Sequence, residues 1–235
     1  MMMIRNSVQG TRRSFSVLSS LKATEAKSTE GKSSKNGKDV KYQNLSEAQK
    51  AYLSRAIRVD QAGELGADYI YAGQYFILAN KYPHLKPVLK HMWDQEIHHH
   101  STFNNYQLKN RVRPSLFTPM WKVGAFAMGA GTALISPRAA MACTEAVETV
   151  IGGHYNEQLR CLNSQFNLDS SDNTTVGQPE EIKALIANVA QFRDDELEHL
   201  NTALQHDSKL AVPYWLLTEG IKAICRVAIW SAERI

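Results

Sequence analysis

The sequence carries Glu-x-x-His twice, as Glu96-Ile97-His98-His99 and Glu196-Leu197-Glu198-His199, each near the middle of a segment with helical periodicity. On a helix, positions i and i+3 leave one face about one turn apart, so each unit offers a carboxylate and an imidazole to one point. One copy alone would pass as a solvated helix face. Two copies constrain the fold, because each is preceded by another helix with a glutamate at matching height. Glu64 lies about 18 residues before the turn at Tyr82-Pro83 and Glu96 about 14 after it, nearly level in an antiparallel hairpin at ~1.5 Å rise per residue. Glu148 and Glu196 stand in the same relation around the next turn. Each half also has a tyrosine seven residues after its first glutamate, Tyr71 after Glu64 and Tyr155 after Glu148.

Four helices packed together would bring four carboxylates and two imidazoles to one internal point. Burying four carboxylates without cations is prohibitively costly. Two divalent ions balance them, and oxygen and imidazole ligands without thiolate suit iron or manganese better than structural zinc. The three cysteines, Cys143, Cys161 and Cys225, are odd in number and widely spaced, which excludes a disulfide scaffold and a CxxC zinc site.

The rest of the chain supports an all-α reading. Ser46 and Gln49 fit a capping box that opens a long helix to about Tyr82, with an apolar stripe of Leu53, Ile57, Ala62, Leu65, Tyr69, Ala72 and Phe76. A second helix is expected over 84–110, a third from Ser136-Pro137 to about 166, a fourth from Pro179 to about 206 and a last one from Pro213 to about 232. The polar segment 167–179 reads as a loop. Between the second and third helices, the uninterrupted apolar run from Val123 to Ile135 is too short for a bilayer span, which needs about 20 residues. It and the 210–232 segment read as helices that pack on the bundle or lie in a membrane interface. Gly124, Gly129 and Gly131 would allow close helix approach.

The formal net charge is +4, yet residues 1–41 hold nine basic and three acidic side chains, leaving the remainder at −2. A basic nucleic-acid-binding body is thereby excluded. The first 24 residues are rich in Arg and Ser and have no acid before Glu25, the composition of a mitochondrial transit peptide. Residues 25–43 read as a linker, which makes 1–43 a presequence and 44–235 the folded domain.

The motifs resemble one family specifically. Arg58-Val59-Asp60-Gln61-Ala62-Gly63-Glu64, Ile70-Tyr71-Ala72-Gly73-Gln74, Met92-Trp93-Asp94-Gln95-Glu96, Gly129-Ala130-Gly131-Thr132-Ala133-Leu134, Ala142-Cys143-Thr144, Ala146-Val147-Glu148, His154-Tyr155-Asn156, Arg193-Asp194-Asp195-Glu196-Leu197-Glu198-His199 and the terminal Ser231-Ala232-Glu233-Arg234-Ile235 are similar to those of the demethoxyubiquinone hydroxylases, ferritin-like di-iron monooxygenases of coenzyme Q biosynthesis. The likeness covers about 52–235. It implies a ferritin-like four-helix bundle with one crossover and extra short apolar membrane-interface helices.

It also implies that two iron ions are held by Glu64, Glu96, His99, Glu148, Glu196 and His199. The substrates would be O2 and a polyprenyl demethoxyquinol, whose ring gains a hydroxyl. The expected place is the matrix side of the mitochondrial inner membrane, peripherally bound, with an isoprenoid-binding accessory protein and the coenzyme Q biosynthetic complex as partners. Subunit number stays open, a homo-oligomer included. Tyr155 and His154 are candidates for a catalytic role, Asp195 and Asp94 for hydrogen bonds to the ligating imidazoles. His98, His100, Glu145 and Glu198 are expected in outer or surface positions. Trp121, Phe126, Met128, Leu134, Trp215, Leu216, Ile221 and Trp230 could form an interfacial face and a route inward. With no Gly-rich nucleotide loop after a strand, electrons are expected from a partner, a reductant or the quinol itself. Two other readings use the same ligands, an iron oxidase and an inert scaffold of a biosynthetic complex.

Overall fold

Ser46 opens the first helix by exchanging hydrogen bonds with Gln49: its Oγ accepts from the Gln49 amide at 3.2 Å and its own amide donates to Gln49 Oε1 at 2.9 Å. The computed structural model describes residues 45–166 and 180–235, and the expected presequence and the 167–179 loop lie outside them. Six helices carry the chain: α1 (Glu47–Lys81), α2 (Lys86–Lys109), α3 (Thr118–Ile135), α4 (Pro137–Gln165), α5 (Glu180–Gln205) and α6 (Tyr214–Ala232). Short 3-10 turns stand at Pro83–Leu85 and Ser208–Leu210, and no strand occurs among the described residues. Pro83, which cannot continue α1, and Ser136-Pro137, which caps α4 through the Ala139 amide at 3.0 Å, mark the boundaries expected of them.

Helices α1 and α2 form one hairpin and α4 and α5 another, with α3 as the crossover. This is an all-α, ferritin-like bundle. Helix α3 lies along α1 and also meets α4, while α6 lies on α4 and α1, so together they cover the face opposite α2 and α5. Two apolar clusters close the bundle interior. One contains Phe103, Tyr155, Leu162, Phe166 and Phe192, the other Tyr71, Leu78, Leu89, Met92 and Met141. Each such fully buried side chain contributes about 1.5–3 kcal/mol relative to exposure.

Helix α1 is covered on two sides, and this corrects the expected stripe. Leu53, Ile57 and Leu65 are buried, but Phe76 is 69% exposed, with its ring 6.0 Å from that of Phe126 on α3. In its place Ile70, Tyr71, Gly73, Gln74 and Leu78 turn inward. The α1–α3 crossing is tight enough to exclude side chains. A Cβ on Gly129 would stand 2.0 Å from the Ile70 carbonyl oxygen, and one on Gly73 2.5 Å from that of Phe126. Gly124 and Gly131, expected to share this role, have open space around them.

Helix α6 is held at both ends. Arg58 donates from Nε and Nη2 to the carbonyls of Ala232 and Glu233 at 2.7 and 2.8 Å, satisfying the end of the helix. At its start, Ser208 Oγ and Tyr214 OH each donate to Glu145 at 2.6 Å.

Because backbone faces backbone at Gly129, Gly129→Ala should destabilise the protein by about 1–3 kcal/mol through forced helix displacement. Gly131→Ala should be neutral or slightly stabilising in thermal unfolding.

Candidate metal centre

Six side chains meet between the two apolar clusters, each from the middle of a long helix: Glu64 from α1, Glu96 and His99 from α2, Glu148 from α4, Glu196 and His199 from α5. All six are 0–2% exposed. They form two overlapping groups, Glu64, Glu96, His99 and Glu196, and Glu96, Glu148, Glu196 and His199, with the ligand atoms of each group within 4.8 Å of one another. These are the residues singled out by spacing. Spacing did not show that Glu96 and Glu196 belong to both groups.

The hydrogen-bond pattern separates the carboxylates. Tyr71 OH donates to Glu148 Oε1 at 2.7 Å, and Tyr155 OH donates to Glu64 Oε1. Each half's tyrosine thus holds the other half's glutamate. What remains is Oε2 of Glu64 and Glu148, both oxygens of Glu96 and Glu196, and Nδ1 of His99 and His199, all buried without a hydrogen bond. These eight atoms face one another instead, the imidazole Nδ1 atoms lying 3.0–3.9 Å from oxygens of Glu64, Glu96 and Glu196, and a cluster of inward-turned donor atoms without hydrogen bonds is an arrangement able to hold a cation. Glu96 and Glu196 belong to both groups, while Glu64 and His99 belong to one and Glu148 and His199 to the other.

The outer nitrogens of the imidazoles are also held across the bundle. His99 Nε2 lies 3.1 Å from Asp195 Oδ2, and His199 Nε2 lies 2.9 Å from Gln95 Oε1. Phe192 packs on the His99 ring with centroids 4.0 Å apart. Asp195 stands where it was expected, but Asp94 does not. It is exposed and pairs with Lys90, and Gln95, the residue before Glu96 as Asp195 is the residue before Glu196, takes the inward position.

Glu145 is no surface group, being 7% exposed and holding Ser208 and Tyr214. Glu198 lies on the surface, 3.6 Å from His91. His98 is exposed, whereas His100 is largely shielded and bonds Asp68 at 3.0 Å. His154 Nε2 faces Asp60 Oδ1 at 3.5 Å, and Gln158 donates to the other Asp60 oxygen at 2.7 Å.

Electrostatics agree with a site built for cations. Burial and the charge of Glu196 push Glu96 up to about 8, and burial also raises Glu64 and Glu148. Burial alone would lower both imidazoles, but the facing carboxylates outweigh it and hold His99 up at about 12 and His199 at about 10. Burial raises Glu196 as well, yet the two imidazoles bring it down to about 2. Protons on these groups must leave when a metal ion arrives.

Between α1 and α4 on one side and α3 and α6 on the other lies a cavity of about 400 Å³. Its lining includes Gly63 and Val147, which precede Glu64 and Glu148, and no charged side chain. At its rim are Met120 and Ile224, 53% and 54% exposed. Trp121 and Met128, expected at an interface, line this cavity, and Ile221 is buried. Leu134, Trp215, Leu216 and Trp230 are more than half exposed, and Phe126 is 37% exposed. No helix among the described residues is long and apolar enough to cross a membrane.

Divalent metal added to the metal-free protein at pH 7 should release protons, measurable in weak buffer. Apparent metal affinity should fall as pH drops from 8 to 6, because the groups that must deprotonate, Glu96 at about 8 among them, hold protons more firmly there.

A family model described as Ubiquinone biosynthesis protein COQ7 matches residues 51–232. The chain is 74% identical over 226 residues to the mitochondrial 5-demethoxyubiquinone hydroxylase of Saccharomyces cerevisiae, covering 95% of each. It is 44% identical over 191 residues to the mitochondrial NADPH-dependent 3-demethoxyubiquinone 3-hydroxylase of Homo sapiens, covering 81% of this chain and 82% of the relative. With the 3-demethoxyubiquinol 3-hydroxylase of Rhodospirillum rubrum it shares 40% identity over 185 residues, covering 79% of each.

Proposed function

The chain belongs to the COQ7 family of ubiquinone biosynthesis proteins, and on that footing we propose that it is a demethoxyubiquinol hydroxylase, an oxidoreductase of the di-iron monooxygenase type. The observation that carries this reading is the buried cluster of four carboxylates and two imidazoles, eight of whose atoms have no hydrogen bond, together with an apolar cavity lined by the residues that precede Glu64 and Glu148. An iron store or a fold staple has no use for such a cavity. The metal ligands are Glu64, Glu96, His99, Glu148, Glu196 and His199, and iron is the metal that an oxygen and nitrogen donor set on an oxygenase favours. When bound, two irons supply the activation of O2 from which one oxygen atom is placed on the substrate ring.

The chain's own residues do the rest. Glu96 and Glu196, which have no hydrogen bond and belong to both ligand groups, would hold metal together with Glu64, His99, Glu148 and His199. Tyr71 and Tyr155 fix the outer oxygens of Glu148 and Glu64 and so orient each remaining oxygen inward. The uncharged lining around Gly63, Ala67, Val147 and Ile151 receives the ring of a demethoxyquinol and keeps bulk water from it. His154 lies on the Glu64 side of the site. Burial would lower its pKa, but the Asp60 carboxylate outweighs this and raises it, so His154 with Tyr155 is a candidate relay for protons consumed in the reaction.

The exposed apolar residues of α3 and α6 support peripheral attachment to a membrane that dissolves a polyprenyl substrate. The relatives from Saccharomyces cerevisiae and Homo sapiens are mitochondrial by name. The inner membrane, its matrix side, an isoprenoid-binding accessory protein and a biosynthetic complex belong to the same proposal. Electrons come from a reductant or partner outside the described bundle, or from the quinol.

Reduced iron-loaded protein, given a short-tailed demethoxyquinol and isotopically labelled O2, should place one labelled oxygen on the ring, read by mass spectrometry. Iron oxidation without labelled product, while the quinol is bound, would instead make the protein an iron oxidase. Glu196→Ala should lose dinuclear metal binding and His100→Ala should keep it, as measured by metal analysis of the purified proteins. Alkaline carbonate should release the protein from membranes, and Trp215→Glu with Trp230→Glu should weaken liposome binding.

A further inference from the structure

Each feature around the candidate centre occurs twice, once per hairpin, and the two copies can be compared position by position. Glu64 and Glu148 correspond, each held by the other hairpin's tyrosine. Three residues past those tyrosines, Gln74 donates to Thr144 Oγ1 at 3.3 Å and Gln158 to Asp60 Oδ2 at 2.7 Å. Thr144 and Asp60 in turn stand four residues before Glu148 and Glu64. Behind the imidazoles, His99 meets Asp195 and His199 meets Gln95. The copies therefore differ in charge at two points. At the first, the Asp60 carboxylate is faced by His154. At the second, the Asp195 carboxylate is directed to His99, and the neighbouring arginine, Arg193, is committed to Asp194.

We propose that the two metal positions are inequivalent, with Asp195 making the His99 position the tighter one. This rests on the dinuclear reading above. With Nδ1 turned to the metal, each imidazole donates its Nε2 proton outward. A carboxylate acceptor draws that proton and increases the electron density the ring gives to the ion, and its negative charge adds attraction for a cation. The neutral carbonyl of Gln95 fixes the other ring with similar geometry but without that charge. Ions therefore load in order, first with Glu64 and His99, then with Glu148 and His199. Asp195 and Gln95 are positioning residues that act through the ligands.

The test is a calorimetric and absorption titration of the metal-free full chain with Co2+. The wild type should show two steps whose dissociation constants differ by about tenfold or more. His199→Ala should retain the tighter step and His99→Ala the weaker one. Asp195→Asn should weaken the first step by about 10–100-fold and merge it with the second, while Gln95→Glu should strengthen the second. Circular dichroism and thermal unfolding accompany each variant, so that a folding defect is seen as such. Two indistinguishable steps in the wild type, or unchanged separation in folded Asp195→Asn, would overturn the inference while leaving the dinuclear site intact. A wild-type titration that stops at one ion would overturn both.

Discussion

Four carboxylates facing one another in a water-free interior is the condition that the rest of this molecule is built to satisfy. No arrangement of backbone or apolar packing can offset that repulsion and desolvation. Cations can, and the oxygens left without hydrogen bonds mark where they belong. The apolar clusters on either side of the ligand layer keep water out. They also make the site costly without counter-charges, so a bound metal would add to folding stability.

Position within the layer is enforced from outside it. Tyrosines, an aspartate and two glutamines supply hydrogen bonds that use up the outward-facing atoms of the ligands and their supports, leaving the inward atoms free. Nearly every one of these bonds crosses from one hairpin to the other. The geometry of each half is therefore a property of the assembled bundle. On the opposite face, α3 and α6 are kept close by the glycine contacts and by the clamps at Arg58 and Glu145, and the cavity lies beneath them.

Much of this was legible in the chain itself, for a definite reason. Metal ligands on antiparallel helices obey both the helical repeat and the height at which partner helices cross, and two such rules together single out six residues. Boundaries were legible where a cap or a proline dictates them, as at Ser46, Pro83 and Ser136. What sequence periodicity does not encode is which way a residue beside a ligand faces across the bundle. Asp94 had the chemistry to support an imidazole, yet the crossing of α2 and α5 turns Gln95 inward instead. Whether Glu145 would be an outer or a surface group stayed open in sequence because the partners that bury it, Ser208 and Tyr214, lie far along the chain. The stripe on α1 failed at Phe76 because a second layer covers that helix, and the glycine that lets the layer approach, Gly73, looked ordinary in sequence.

The reciprocal tyrosines have a further meaning. In a pair of identical subunits related by a two-fold axis, residue i of one touches residue j of the other, and j touches i in return. Tyr71 on Glu148 and Tyr155 on Glu64 have that form, although both belong to one chain. The bundle has the internal logic of a dimer whose halves have been joined. A true dimer must carry the same residue at both equivalent places, since one gene writes both. A joined chain is released from that requirement, and the aspartate behind one imidazole with an amide behind the other is a difference that a symmetric pair of identical subunits could not hold.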